Sequence, residues 1–283
     1  MNGFCDLHTH SHYSDGTLSP QELLLAAEEA HLGAVALCDH NSVSGLEEFL
    51  FYGKNSPVEA VAGTELSVEY LGKELHLLAL FLKEKYFSHV ADYARPMLRE
   101  KEDSNLRLLE NLKKVGIFLD YDEISRSTPD GMVNRAVIGG AMVEKGYVSS
   151  VKEAFHNYLD LRHGHYIPPT RPDVFDAIGF VGELDAVSVL AHPYLNLSHE
   201  ELLQFLPQAK GLRAMEVYYP KFSPAERENL LSLCQMYGLL PSGGSDFHGK
   251  NKPDIALGTG RGDLFVDMEI FFGLRNIILE KDP

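Results

Sequence analysis

The sequence predicts an α/β fold in which a parallel barrel or sheet is interrupted by a helical insertion. Short apolar runs, such as residues 34–38 and 186–191, alternate with helical patterns, as is typical of strands joined by crossover helices. Between residues 93 and 158 this alternation stops, and the chain is rich in Leu, Glu, Lys and Arg. A length of 283 residues suits one large domain that carries such an insertion.

The first elements can be placed from their turn and capping residues. A strand is expected over residues 4–9, followed by a turn at residues 14–16. Ser19 and Glu22 have the spacing of a capping box, with a proline at the first helical position between them. The helix that they begin is expected to end at Gly33, because glycine is a common C-terminal breaker.

The remaining elements repeat this pattern. The apolar run at residues 34–38 predicts a strand that leads to His40, and a helix over residues 44–52 precedes a strand over residues 58–62 that leads to Glu65. Further strands are expected at residues 186–191, 214–218 and 241–245. We therefore predict a barrel formed by residues 1–92 and 166–283 and a helical cap formed by residues 93–165.

Composition limits the class of partner. The formal net charge of −16 argues against binding to duplex DNA or to a membrane surface, since both require basic surface. Three widely spaced cysteines form no disulfide framework, and the N-terminus lacks the pattern of a signal peptide. These features predict a cytoplasmic protein.

Potential metal ligands recur at the ends of the predicted strands. Side chains at positions i and i+2 of a strand share one face, so His8 and His10 can enter one site, as can Asp246 and His248. Such a mixture of imidazoles and carboxylates suits zinc, manganese or iron better than calcium. At roughly four ligands per ion, two or three ions are expected. The strand-end candidates are His8, His10, His40, Glu65, His192, Asp246 and His248.

The order of the motifs DLHTHSHYSDG, LCDHNSVSG, GTELS, ELHLLAL, LAHPY and GGSDFHG resembles the PHP (polymerase and histidinol phosphatase) superfamily. The similarity covers nearly the whole chain and is strongest to the stand-alone phosphoesterases, a branch that includes nucleotide phosphatases and a 5′-to-3′ exoribonuclease. It implies a distorted seven-stranded (β/α) barrel with a trinuclear metal centre.

The resemblance also assigns the ligands of each ion. It implies three groups, of which the first two share Glu65 as a bridge: His8, His10, Glu65 and Asp246; Glu65, His76 and His192; and Asp15, His40 and His248. His12 lies next to these residues, but the branch does not usually use that position, so we expect a supporting or incidental role.

The expected substrate contacts lie in the helical cap. Relatives carry Arg-Pro-His where this chain has Arg135, Ala136 and Val137, and many carry a lysine where it has His163. Arginine forks suit phosphate oxygens, so Arg135 is the expected phosphate clamp, with His163 and His165 as further candidates for substrate binding. The departures at Val137 and His163 leave the exact substrate open.

Together these features predict phosphate-ester hydrolysis by a metal-activated water, with Asp15, His40, His192 and His248 as the catalytic candidates. The sequence has no GxSxG or P-loop motif, which leaves serine hydrolases and P-loop hydrolases without support. The expected partner is a phosphorylated small molecule, in particular a mononucleotide or nucleoside bisphosphate, with short RNA ends as the alternative.

Three other functions stay open at this stage. A metal-dependent amidohydrolase would show a similar HxH pair, although such enzymes usually carry a bridging lysine where this chain offers Glu65. A histidinol-phosphatase-like enzyme is a narrower possibility within the same superfamily. A non-catalytic scaffold would normally have lost several of the ligands that this chain keeps.

Overall fold

The computed structural model describes residues 3–128 and 131–279. The chain forms two compact units: a barrel unit of Met1–Ala94 and Pro172–Pro283, and a helical unit of Arg95–Arg171. Among the described residues, no helix is long and apolar enough to cross a membrane.

The barrel unit is built on one seven-stranded sheet whose strands follow one another in chain order. All neighbouring strands are parallel except for β4, which is antiparallel to both β3 and β5. The strands are β1 (Cys5–Thr9), β2 (Ala34–Leu37), β3 (Glu59–Tyr70), β4 (Lys73–Leu80), β5 (Val187–Leu190), β6 (Ala214–Tyr218) and β7 (Leu240–Gly243).

The predicted α/β barrel is confirmed, but the expectation of a wholly parallel sheet is wrong at β4. The third strand continues past its predicted end at residue 62 to Tyr70. A two-residue turn with positive φ at both Leu71 and Gly72 then returns the chain as β4, which is the geometry that favours a tight hairpin. Glu65 consequently lies inside β3, and not at a strand end as predicted.

Helices flank the sheet in the barrel unit. Ser19 and Glu22 form the predicted capping box at the start of the first helix. This helix ends at Glu29 and not at Gly33, because the chain turns at His31, whose φ is 56°. The helices are α1 (Pro20–Glu29), α2 (Leu46–Gly53), α7 (Val174–Glu183), α8 (His199–Phe205), α9 (Pro224–Tyr237) and α10 (Met268–Leu279).

Two apolar layers hold the barrel unit together. An outer cluster packs α1, α2, α7, α8 and α9 against one face of the sheet and includes the fully buried Phe49 and Phe205. An inner cluster, which includes Leu7, Leu78 and Val189, fills the opposite face together with Phe271 of α10. Because side chains alternate along a strand, Glu65 of β3 and Glu216 of β6 lie on the face that carries the inner cluster.

The two ends of the sheet meet beside the candidate ligands. The amide of Asp246 donates to the carbonyl of His8 at 2.8 Å, and the amide of His10 donates to the carbonyl of Phe247 at 2.9 Å. A Cβ atom on Gly244 would overlap the backbone of His8, so this close approach requires glycine. These contacts bring the first and last ligand motifs of the chain together.

The helical unit has its own small core. The helix α3 (Phe87–Lys113) begins six residues before the predicted start of the cap at residue 93, and its later part belongs to the helical unit. The other elements are α4 (Tyr121–Ser127), α5 (Arg135–Glu144), α6 (Val151–Ala154), a π-helical turn (Phe155–Leu159) and a 3-10 turn (Leu161–His163). Leu108, Leu112, Ile138 and Met142 are fully buried among them.

Candidate metal centre

Glu65 lies at the centre of a buried cluster of histidines. Glu65 lies four residues after Val61 of the inner cluster on the same strand, β3. The two side chains therefore share one face, and the carboxylate points into the curled sheet. Its Oε1 atom lies 2.8 Å from Nδ1 of His76 and 3.1 Å from Nε2 of His192. Its Oε2 atom faces three further ring nitrogens at 3.2, 3.2 and 3.0 Å, which belong to His8, His10 and His40. The two oxygens therefore serve two separate groups of histidines.

Asp15 and Asp246 complete the cluster on two other sides. The Oδ1 atom of Asp15 lies 3.1 Å from Nε2 of His248, 3.7 Å from Nε2 of His40 and 3.9 Å from Nδ1 of His10. The Oδ1 atom of Asp246 lies 3.4 Å from Nε2 of His10 and 3.4 Å from Nδ1 of His248. The structure thus brings together all nine residues that the sequence nominated as metal ligands.

The unpaired atoms of this cluster point to a shared occupant. Several buried ligand atoms make no hydrogen bond among the described residues, although each lies close to another ligand atom. Buried polar atoms are normally paired, and orphaned ones that converge from separate strands are what an ion site requires. These atoms are Nε2 of His8, Nε2 of His10, Oδ1 of Asp15, Nδ1 of His40, Oε2 of Glu65 and Nδ1 of His76.

The ligand atoms separate into overlapping groups whose members lie within 4.8 Å of one another. Three of these groups contain only predicted residues: His10, Asp15, His40 and His248; His8, His10 and Asp246; and His40, Glu65 and His76. A fourth group joins His8 and His192 to Glu216, which the sequence analysis did not nominate. The donor set suits divalent metal ions.

The three carboxylates of the cluster stay ionised, which favours the binding of cations. Burial alone would raise the pKa of each carboxylate, but nearby histidines hold the pKa values well below the usual range in Asp15, Glu65 and Asp246. Burial likewise opposes charge on His76, yet the attraction of Glu65 raises its pKa to about 10. At His40 burial prevails and lowers the pKa to about 3. A metal ion bound at His76 would displace the additional proton that this histidine carries in the metal-free protein.

Two buried aspartates hold the loops that carry the ligands. Asp39 accepts hydrogen bonds from the amide of Ser11 at 2.8 Å and from the hydroxyl of Ser14 at 2.6 Å. Asp6 accepts from the amides of Ser245 at 2.8 Å and Gly258 at 2.7 Å. The first pair of bonds fixes the loop between His10 and Asp15, and the second fixes the segment before Asp246.

The outer oxygen of Asp246 has partners that the sequence did not reveal. Its Oδ2 atom accepts from the hydroxyl of Tyr219 at 2.9 Å and lies 2.7 Å from Nζ of Lys252. Burial beside Asp246 raises the pKa of Tyr219 far above its usual value, so its hydroxyl stays a donor. These two contacts leave Oδ1 directed at the histidines.

Two candidate ligand residues have unusual backbone conformations. His192 has a φ of 27° and Asp246 has a φ of 56°, in the region that non-glycine residues rarely adopt. Each such residue costs on the order of 1–3 kcal/mol, and this strain often accompanies a functional site. The fold thus maintains at both strand ends a conformation that local sequence preferences disfavour.

Glu216 is a functional candidate that the sequence analysis missed. It lies on β6 and is fully buried, with Oε1 3.1 Å from Nδ1 of His8 and Oε2 2.7 Å from the amide nitrogen of His192. The available signal was a lone charged residue within the apolar strand AMEVY, since a buried charge needs partners.

His12 stays outside the ligand groups found among the described residues. Its ring packs against Tyr13, with ring centres 4.6 Å apart. A supporting or incidental role for His12 stays a prediction.

The helical unit contains the three residues predicted to bind substrate. The guanidinium of Arg135 lies over the ring of Tyr166, 4.1 Å from its centre, and Nη1 approaches the carbonyl of Leu159 at 3.4 Å. Nε2 of His163 lies 2.6 Å from the carbonyl oxygen of His156.

His165 takes part in the packing of the helical unit through both its backbone and its ring. Its carbonyl accepts from Nδ2 of Asn111 at 2.8 Å, and its ring centre lies 6.4 Å from that of Tyr158.

Comparison with known proteins gives a consistent result. The PHP domain family matches residues 6–162. A 5′-3′ exoribonuclease of Haemophilus influenzae is 30% identical over 247 residues, which cover 86% of this chain and 89% of the relative. A 3′,5′-nucleoside bisphosphate phosphatase of Chromobacterium violaceum is 28% identical, with 86% of each chain covered. The solved structure of a protein assigned as a metal-dependent phosphoesterase, from Bifidobacterium adolescentis, has a TM-score of 0.83, 26% identity and 96% coverage of each chain.

Proposed function

The chain belongs to the PHP domain family, and we propose that it is a metal-dependent phosphoesterase that hydrolyses phosphate esters of nucleotides. The observation that carries this proposal is the convergence of orphaned, buried ligand atoms around Glu65. A purely structural cluster would pair these atoms with one another, because unpaired buried polar groups are costly.

We propose that the cluster holds three divalent ions, with manganese, zinc or iron as the candidates. The geometry supports Glu65 as a bridge, because each of its oxygens faces a different set of histidines. Divalent ions in this cluster would activate a water molecule and neutralise negative charge on phosphate oxygens. Asp15, His40, His192 and His248 are the residues we assign to catalysis, through their placement in these ligand groups.

Differences in exposure suggest where a phosphate ester would approach. The side chains of His8, His10 and Glu65 are fully buried, whereas those of Asp15, His40 and His76 are 28%, 16% and 18% exposed. A substrate phosphate would therefore approach from the side of Asp15, His40 and His76. The buried members would hold their ligand geometry rigidly beneath it.

The relatives suggest the class of substrate. One is named for the removal of nucleotides from RNA and another for the hydrolysis of nucleoside bisphosphates, so a nucleotide phosphate is common to both. Arg135 remains our candidate for the phosphate contact, and the net charge of −16 favours small substrates over long RNA. Exoribonuclease activity on short 5′-phosphorylated RNA is the second candidate, favoured by the similarity to the Haemophilus influenzae enzyme.

A hydrolysis screen with manganese, in which inorganic phosphate, free nucleotides and the products of amide hydrolysis are each measured, would test the proposal. The panel should contain a mononucleotide, a nucleoside 3′,5′-bisphosphate, histidinol phosphate and short 5′-phosphorylated RNA, with an amide substrate as a negative control. We expect release from the nucleotides, loss of activity on chelation and recovery when manganese is added. Full activity after exhaustive chelation, or hydrolysis of the amide alone, would contradict the proposal.

A further inference from the structure

We propose that Glu216 is a positioning residue of the metal centre, which fixes the ring of His8 and the backbone of His192 at the same time. This inference rests on the proposed function, since it assumes that ions occupy the cluster. Glu216 lies two residues after Ala214 of the inner cluster on β6, so the two side chains share the inner face of the strand. The side chain of Glu216 is fully buried. Its carboxylate thus reaches β1 and the end of β5 from one strand.

Both oxygens of Glu216 already have partners. Oε1 lies 3.1 Å from Nδ1 of His8, and Oε2 accepts a hydrogen bond from the amide of His192 at 2.7 Å. The approach to His8 is made at Nδ1, and the other ring nitrogen faces the cluster. Glu216 is therefore better placed to orient two ligand residues than to bind an ion itself.

The contact at Nδ1 decides which nitrogen of His8 can act as a ligand. Nε2 lies 3.2 Å from Oε2 of Glu65 and 3.9 Å from Oδ1 of Asp246, and it makes no hydrogen bond among the described residues. A carboxylate only accepts hydrogen bonds, so Nδ1 must carry the proton that it shares with Glu216. In the neutral ring Nε2 then keeps a free lone pair directed at the cluster.

Other histidines of the cluster are oriented by the same principle, but with weaker acceptors. Nδ1 of His248 lies 2.8 Å from the carbonyl oxygen of Asp246, and its Nε2 faces Asp15. At His76, Nε2 lies 3.5 Å from Glu74, and Nδ1 faces Glu65. The acceptor of His8 differs from these two, because the carboxylate of Glu216 is fully buried and also accepts a hydrogen bond from a backbone amide.

The second contact acts on a strained residue. His192 has a φ of 27°, and its amide is the donor to Oε2 of Glu216. This hydrogen bond helps to hold the conformation that places Nε2 of His192 3.1 Å from Oε1 of Glu65. Through one carboxylate, the ring orientation of His8 is linked to the backbone position of His192.

The substitution Glu216→Gln tests this role with almost no change in shape. Two donors, Nδ1–H of His8 and the amide of His192, need two acceptors, and a glutamine amide supplies one oxygen. Either orientation of the amide leaves one donor facing an NH2 group. We expect the affinity of the folded variant for manganese to fall about 10- to 100-fold, the usual effect of losing an outer partner of a ligand.

The metal affinity of wild type, Glu216→Gln and Glu228→Gln should be measured by competition with a chelator, on protein whose folding is verified by circular dichroism. Glu228 is exposed on α9, so its substitution removes the same charge away from the cluster and should leave the affinity unchanged. An unchanged affinity in folded Glu216→Gln would overturn the proposal. If wild type itself binds no ion, the proposed function fails instead, so the two failures can be distinguished.

A measurement on the wild-type protein decides the matter if Glu216→Gln does not fold. In zinc-loaded protein labelled with 15N-histidine, nuclear magnetic resonance reports which nitrogen of His8 is protonated and which binds the metal. We expect a proton on Nδ1 and zinc at Nε2. Zinc at Nδ1, or an Nδ1 without a proton, would overturn the inference, since Glu216 could not then be the acceptor.

Discussion

The bridging role that we propose for Glu65 makes a quantitative prediction about metal content. In Glu65→Gln the carboxylate is replaced by an amide that has one oxygen and one NH2 group. The oxygen can face either His76 and His192 or the histidines on the opposite side, but not both groups. The NH2 group would then point at the position of the other ion and repel it.

The expected loss follows from a comparison with Asp15. The Oδ1 atom of Asp15 lies 3.1 Å from Nε2 of His248 and 3.7 Å from Nε2 of His40, so Asp15→Asn can keep one oxygen that faces both histidines. Replacing an outer partner of a ligand typically weakens binding about 10- to 100-fold, so we expect at least about 100-fold at each of two ion positions in Glu65→Gln. Asp15→Asn should weaken one position.

The assay is the metal content of each variant after equilibrium dialysis against buffered free manganese, measured by plasma mass spectrometry. At a concentration that saturates wild type, Glu65→Gln should contain fewer ions per chain than Asp15→Asn. Unfolding curves of the metal-free variants would verify that both are folded. Equal metal content in the two folded variants would refute the bridging arrangement.

The histidines also predict how pH affects the stability of the metal-free protein. The pKa values of His10 and His76 are raised from 6.5 to about 9 and about 10, so their stabilising contribution is complete below pH 6.5 and is lost as the pH rises through 9 to 10. Urea unfolding across this range should show the decline, and a flat profile would contradict it. Phe49→Ala should lower the free energy of unfolding by about 3–5 kcal/mol, because it opens a cavity in the outer cluster, and a loss below about 1 kcal/mol in urea titrations would be inconsistent with that packing. Arg135→Ala should raise the KM for nucleotides about tenfold or more, since a charge-assisted hydrogen bond contributes about 1.5–3 kcal/mol, and should leave the metal content unchanged. Steady-state kinetics with an unaltered KM would remove Arg135 from the substrate site.

The sequence was informative wherever local rules are strong. The capping box of Ser19 and Glu22 predicted the start of α1, and the alternation of apolar runs predicted six of the strands. It was less informative at β4, because a hairpin whose turn contains Leu71 lacks the usual Asn-Gly or Asp-Gly signal. The strand β4 also pairs with β5, which lies more than a hundred residues further along the chain and beyond the reach of local patterns.

In the candidate site, too, local sequence patterns revealed some residues and not others. The spacing i and i+2 made four residues recognisable as candidate metal ligands, because it places each pair on one side of a strand end. These residues are His8, His10, Asp246 and His248. His76 could be nominated only through the family resemblance. Glu216 was overlooked, because a single carboxylate in a strand has no motif of its own.

The sequence by itself therefore determined the α/β class and the family, and it supplied the candidate ligand residues in their order along the chain. Tertiary structure alone decided that the two oxygens of Glu65 face different histidines, that Tyr219 and Lys252 occupy the outer oxygen of Asp246, and which nitrogen of His8 meets Glu216. The physical reason is that capping and periodicity act over a few residues, whereas these contacts join residues far apart in the chain. Their geometry is fixed only when the sheet curls and brings β1, β3, β6 and β7 around one buried point.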